Sequence, residues 1–201
     1  FPYTTLFRSA SYHQSLAIYG DYALCLNYGN TGAKVQIYKF STDSVVATLD
    51  LPSNDSFVPH CNTAVFGKTK LSETSITPLL YVSKWDYQSD KSCLVYDITE
   101  SEGVYSVSLV QTITPNVSSS IIGDGDIDWV VDTNNDKLYA FAYKLQGAST
   151  IEIGNEEMIA AFNLPATSSS QVTLTDNDVV DNFVLPILNA SQDKVYSNDK
   201  D

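Results

Sequence analysis

Apolar residues along the chain come in short runs of strand type, and no segment has a helical period. Leu16-Ala17-Ile18-Tyr19, Tyr22-Ala23-Leu24-Cys25-Leu26, Val35-Gln36-Ile37-Tyr38 and Val45-Val46-Ala47-Thr48-Leu49 follow one another. Gly20-Asp21, Gly29-Asn30-Thr31-Gly32 and Ser41-Thr42-Asp43 separate them, and such punctuation predicts a four-stranded meander. The order recurs from His60, as Asn62-Thr63-Ala64-Val65-Phe66, Leu79-Leu80-Tyr81-Val82-Ser83, Cys93-Leu94-Val95-Tyr96-Asp97 and Leu109-Val110-Gln111-Thr112-Ile113. A third pass has Asp128-Trp129-Val130-Val131, Lys137-Leu138-Tyr139-Ala140-Phe141, Met158-Ile159-Ala160-Ala161-Phe162 and Val172-Thr173-Leu174. Gln192-Asp193-Lys194-Val195-Tyr196 reads as the first strand of a fourth. A turn or two of helix is expected only over 175–181, with Thr175 as its cap.

The third-strand aromatic recurs at Tyr38, Tyr96 and Phe162, intervals of 58 and 66 residues. Each is followed by a polar residue: Lys39, Asp97 and Asn163. Turns close the fourth strands at Leu51-Pro52, at Thr114-Pro115 and, after a longer excursion, at Leu185-Pro186. A four-stranded meander at this period is the signature of a propeller blade. The expected fold is therefore all-β: a partial β-propeller of about three four-stranded antiparallel blades plus the first strand of a fourth. The blades fall at about 10–52, 57–115 and 124–186, and the next starts at 189–201. An irregular β-sandwich is the alternative. Trp129, Tyr38, Tyr96, Phe162, Leu80 and Leu138 are expected to be buried between consecutive blades.

His60-Cys61-Asn62, Pro78-Leu79-Leu80-Tyr81-Val82-Ser83, Leu109-Val110-Gln111-Thr112-Ile113, Asp128-Trp129-Val130-Val131-Asp132 and Val172-Thr173-Leu174-Thr175 carry a resemblance. Through them the chain resembles bacterial β-propellers of the WD40-like and YncE-like kind, including six- or seven-bladed proteins of gut anaerobes. The resemblance covers most of 10–201 and implies the fold; its motifs are generic and bring no catalytic residue with them. Three blades and one strand leave a blade face uncovered, so the remaining blades are expected in the same chain. Residues 1–9, Phe1-Pro2-Tyr3-Thr4-Thr5-Leu6-Phe7-Arg8-Ser9, fit neither period and resemble the translated end of a short-read sequencing adapter. Arg8 is the sole arginine of the sequence. That segment is read as non-native and set apart from the fold.

Composition narrows the partners. The 201 residues carry 24 Asp+Glu against 11 Lys+Arg, a net charge of −13, which argues against nucleic acid because phosphate binding needs a clustered basic field. Charged residues make up only 17%, and 24 Ser, 17 Thr, 13 Asn and 13 Tyr supply the polar surface instead. No apolar run approaches the roughly 18 residues of a membrane span. A periplasmic, cell-surface or secreted location is expected.

Candidate chemistry gathers where each innermost strand begins: His13 and Gln14, His60 and Asn62, Asp126 and Asp128, Gln192 and Asp193. Gln14, Asn62, Asp128 and Gln192 are 48, 66 and 64 residues apart, so they occupy equivalent positions of the repeat. In a propeller such positions converge on one mouth of the central channel. Gln14, His60, Asn62, Asp128, Gln192 and Asp193 are thus the expected ligand-binding residues, for a polar small molecule, a glycan or a protein; the alternative is that they bond blade to blade. The function read from this is binding or scaffolding. A lyase or hydrolase acting on a polysaccharide or peptide is the competing reading, with His60, Asp126 and Asp128 as its catalytic set.

No cofactor is expected beyond a calcium ion at Asp124, Asp126 and Asp128. An EF-hand is excluded, because the position that needs Glu is Asn135 counted from Asp124 and Tyr143 counted from Asp132. Asp132-Thr133-Asn134-Asn135-Asp136 reads as a hairpin turn. His60 and His13 lack HxH or HExxH spacing. Cys25 and Cys93 lie within strands as small hydrophobes. Cys61, between His60 and Asn62, is a candidate thiol nucleophile with no activating base evident in the sequence. Glu156-Glu157 reads as a solvated pair in the loop before Met158.

Overall fold

The computed structural model describes residues 12–29, 32–53, 60–84, 91–145 and 153–186. The segment 1–9, Gln192, Asp193 and the predicted strand 192–196 lie outside the described residues. The first four strands are β1 (Tyr12–Tyr19), β2 (Tyr22–Gly29), β3 (Gly32–Lys39) and β4 (Ser44–Asp50), paired in chain order as an antiparallel meander. Four more follow: β5 (Ala64–Phe66), β6 (Leu80–Ser83), β7 (Cys93–Ser101) and β8 (Val104–Asn116). After a one-turn helix α1 (Ser119–Ile122) come β9 (Ile127–Asp132), β10 (Lys137–Leu145), β11 (Ile153–Asn163), β12 (Gln171–Thr175) and β13 (Val179–Pro186). Among the described residues no helix is long and apolar enough to cross a membrane.

The turns form where backbone chemistry demands them. Glu102 and Gly103 both take positive φ, 52° and 82°, between the paired Ser101 and Val104. That two-residue connection matches the twist of the strands it joins and leaves the second position to glycine. At the β9–β10 turn Asp132 Oδ1 accepts the backbone N–H of Asn134 (2.9 Å) and Asn135 (3.2 Å), the hairpin turn expected there.

Sheet two departs from the expected four antiparallel strands, and so does the third unit. β12, predicted as the outer strand of the third unit, pairs in parallel with β8, giving sheet two the order β12-β8-β7-β6-β5. The outer strand of sheet three is β13, paired antiparallel with β11. A 3-10 turn at Asp176–Asp178 redirects the chain between them, and Thr175 and Asp178 close a capping box around it. The predicted cap is correct; the helix is one turn, and the strand beyond it was not foreseen. The outer edge of β8 offers unpaired N–H and C=O groups. The connection leaving β11 reaches that edge before returning to its own sheet.

Two hydrophobic layers separate the three sheets. Between sheets one and two lie Leu24, Leu26, Val35, Ile37, Leu80, Val82, Leu94, Tyr96 and Ile98. Between sheets two and three lie Tyr81, Val95, Ile113, Trp129, Leu138, Ala140, Phe162 and Leu174. Five of the six residues expected between units are there and fully enclosed. Tyr38 is buried but belongs to neither layer: alternation from Ile37 turns it to the other face of sheet one. There its hydroxyl donates to Asp43 and its ring meets Phe40 edge-on.

Candidate functional site

The inner edges of the three sheets are β1, β5 and β9. β1 lies against β5, and β5 and β6 against β9, so the beginnings of all three innermost strands face one another. Hydrogen bonds tie them in sequence. Ser15 Oγ donates to the Cys61 carbonyl at 2.8 Å, Thr63 Oγ1 donates to Asp128 Oδ1 at 2.5 Å, and the Trp129 N–H donates to Ser83 Oγ at 2.8 Å. Each bond crosses from one sheet to the next.

The predicted residues take different places around this edge. Gln14, half-buried, sits at the irregularity where the β1–β2 register shifts between His13 and Ser15. His60 donates its backbone N–H to the Lys84 carbonyl at 2.9 Å, and its ring packs on Tyr28 of sheet one, centroids 4.1 Å apart. Asn62 is half-buried and its Oδ1 has no hydrogen-bond partner. Asp128 is the second residue of β9 and is held by Thr63. Asn62 and Asp128 are therefore brought close through Thr63. Among the described residues His60 meets Lys84 and Tyr28, and Asp128 meets Thr63.

The electrostatics are those of crowded acceptors. Burial raises the Asp128 pKa, the Thr63 hydroxyl opposes this, and the charge of Asp126 adds to it. Glu157 is raised by burial and then by Asp128. It lies half-buried in β11, which begins at Ile153 and includes Glu156, so the loop reading of the Glu156-Glu157 pair is corrected to strand. Lys91 Nζ donates to the Asp124 carbonyl at 2.7 Å; burial lowers its pKa against the pull of Asp124 and Asp126. Among the described residues no three His, Cys, Asp or Glu side chains stand together as a metal-holding group, and at Asp124, Asp126 and Asp128 the nearby positive charge is that of Lys91.

The three cysteines, Cys25, Cys61 and Cys93, are all buried and form no disulfide. Burial pushes Cys61 and Cys93 far up, the latter against a Val82 backbone hydrogen bond, and Cys25 up to about 11. Cys61 is fully buried, and its raised pKa favours the thiol over the nucleophilic thiolate.

Thr63, Lys91 and Lys84 escaped the reading of the sequence. Thr63 is next to the flagged Asn62, but nothing in the sequence marks it as the partner of Asp128. Lys84, 2% exposed, closes the apolar run Leu79–Ser83, and a lone charge behind four buried residues is the signal that was available. A cavity of about 150 Å³ lies at the far end of β5 and β6, lined by Gly67, Lys68, Leu79, Tyr81, Asp136 and Leu164 among others, and touches none of the predicted site residues. No family model, curated protein or solved structure matches the chain.

Proposed function

We propose that the chain forms three blades of a β-propeller that binds a polar, donor-rich ligand where its innermost strands begin. The observation carrying this is the edge-to-edge sequence of bonds Ser15–Cys61 and Thr63–Asp128, which aligns the starts of β1, β5 and β9. The groups presented there, Asn62 Oδ1 and the carboxylates of Asp126, Asp128 and Glu157, are acceptors, and two of the carboxylates are pushed toward their protonated forms. A ligand offering hydroxyl, amide or ammonium donors, such as a glycan or a peptide, relieves both conditions.

The blade reading is supported by the outer faces of the array. Leu16 and Ile18 on sheet one, and Phe183 and Leu185 on sheet three, are about half exposed, as faces meant for a further sheet would be. The remaining blades and an exported or cell-surface location belong to the same proposal. Its test is titration with a panel of oligosaccharides and short peptides, read by Trp fluorescence and by heat of binding. Saturable binding that falls at least about tenfold in Asn62→Ala and Asp128→Asn is expected, one lost charged hydrogen bond being worth about 1.5–3 kcal/mol. Binding unchanged in both variants would move the site elsewhere.

A further inference from the structure

In sheet two and the bend that leads into its β6 lie three buried polar atoms without a hydrogen-bond partner: Thr77 Oγ1, Asp97 Oδ1 and Gln111 Oε1. Their residues are 0%, 4% and 0% exposed. The register puts Asp97 and Gln111 on one face. Tyr81 pairs with Val95 and Val95 with Gln111, forming one cross-strand row. Asp97 is two residues beyond Val95 along β7 and shares the face that Val95 turns to sheet three. The antiparallel Ser75–Thr99 bridge and the Ile76 N–H to Ile98 carbonyl bond (2.9 Å) run the segment before β6 beside β7 and bring Thr77 alongside Asp97. Gln111 Nε2 already donates to the carbonyls of Ala166 (2.8 Å) and Ser169 (2.9 Å). Those two bonds fix the amide's orientation and leave its oxygen as the free acceptor.

The repeat shows what this position lacks. In each sheet the residue after the third-strand aromatic is polar: Lys39, Asp97, Asn163. Sheet one places a lysine there, with Lys39 Nζ over the Tyr22 ring at 5.6 Å. In sheet three, Lys137, paired across from Asn163, donates its ammonium to Asn163 Oδ1 at 2.6 Å. Two sheets thus carry an ammonium group in this row. Sheet two carries a buried carboxylate there instead, and nearby Lys68 is paired with Asp136 at 3.2 Å.

We propose that Asp97, Gln111 and Thr77 bind one hard cation of sodium or calcium size, supplied from solution where the other two sheets use lysine. The donor set is a carboxylate, an amide carbonyl and a hydroxyl, all oxygen, which suits such ions and disfavours metals that seek sulfur or imidazole. Leu79 and Tyr81 line the 150 Å³ cavity, whose walls do not include Asp97, Gln111 or Thr77. The site is separate from the ligand site proposed at the strand beginnings and stands without it.

The test is thermal unfolding of the 201-residue chain in NaCl, CaCl2 or choline chloride at equal ionic strength. The expected result is a Tm about 5–10 °C higher in sodium or calcium than in choline at a hundredfold excess over Kd. Asp97→Asn should lose that difference. Thr77→Val, which keeps the shape, should melt as the parent does in choline and bind the ion about tenfold more weakly. Equal melting of the parent in all three salts would overturn the site, and so would an undiminished cation effect in either variant, which would mark it as screening of the −13 net charge.

Discussion

Sheet two and the two sheets that flank it solve different burial problems with similar strands. Sheet two is covered on both faces. Its β6 is buried at all four positions and its β7 at the first six, so the sequence reads as unbroken apolar runs, Leu80-Tyr81-Val82 and Cys93-Leu94-Val95-Tyr96. In sheet one β3 alternates buried and half-buried positions from Gly32 to Ile37, the edge strand β1 exposes Leu16 and Ile18, and β2 is buried throughout 23–27. In sheet three Ile127 and Trp129 face inward while Asp128 and Val130 do not. Whether a strand is apolar at every residue or at every second one therefore reports how far both of its own faces are enclosed. In the flanking sheets the central strands β2 and β11 are enclosed over 23–27 and 158–162. Sheet two also confines polar residues where water cannot reach them, Asp97 and Gln111 in its strands and Thr77 in the bend before β6.

The largest effect that can break this comparison is a truncation on each side of it. Trp129 is fully buried between sheets two and three and donates Nε1–H to the Lys91 carbonyl at 2.8 Å. Trp129→Ala should cost about 3–5 kcal/mol from lost burial and the cavity left behind. Phe183, on the outer face of sheet three, is 45% exposed, and Phe183→Ala should cost less than about 1 kcal/mol. Urea midpoints at constant m measure both; comparable losses would mean that the outer face is packed after all.

A smaller effect isolates β12. Its parallel seat on β8 is held by the strand ladder, by Gln111 to the Ala166 and Ser169 carbonyls, and by the Ser118 N–H to Asp176 Oδ1 at 2.7 Å. Gln111→Leu keeps the volume and strips the Ala166 and Ser169 carbonyls of their donor, for an expected loss of about 1–3 kcal/mol at two bonds of about 0.5–1.5 kcal/mol each. Amide exchange should quicken across β12 while β13, anchored to β11, keeps its protection. Uniform quickening in both strands would show that β12 does not join the sheets as a separate unit.

What the sequence made legible follows the same physics. Twelve strands announced themselves because alternation and turn residues are local properties. The partner of β12 did not, since an open edge on β8 is created by residues far away in the chain. β13 was hidden because Asp181-Asn182 interrupts its apolar residues, which an exposed outer strand tolerates. At the candidate site, the spacing that flagged Asn62 and Asp128 fell one residue short of the observed contact, which Thr63 makes with Asp128. The bond between Thr63 and Asp128 could not be read, because it depends on how sheets two and three are set against each other. Glu157 was misplaced for a related reason: a charged pair looks like a loop until the strand beneath it is seen.

The smallest effect is a pH dependence at the inner edge. Asp128 has its pKa raised above the ordinary 3.8 by burial and by Asp126, against the Thr63 hydroxyl. A carboxyl raised on folding favours the folded state in its protonated form. That contribution is complete below pH 3.8 and is lost as the pH climbs through the raised value, so at neutral pH the ionised group is a net cost. Asp128→Asn retains an oxygen to accept from Thr63 and carries no charge. The variant should be slightly more stable than the parent at pH 7, and the two should converge below about pH 4. Glu157, raised in part by Asp128, should titrate closer to its ordinary 4.5 in the variant, which NMR of its side chain would follow. A residue retained at a cost in stability while needed for ligand is the pattern expected of a binding site. Loss of stability at pH 7 in Asp128→Asn would instead make the carboxylate a structural link between sheets two and three.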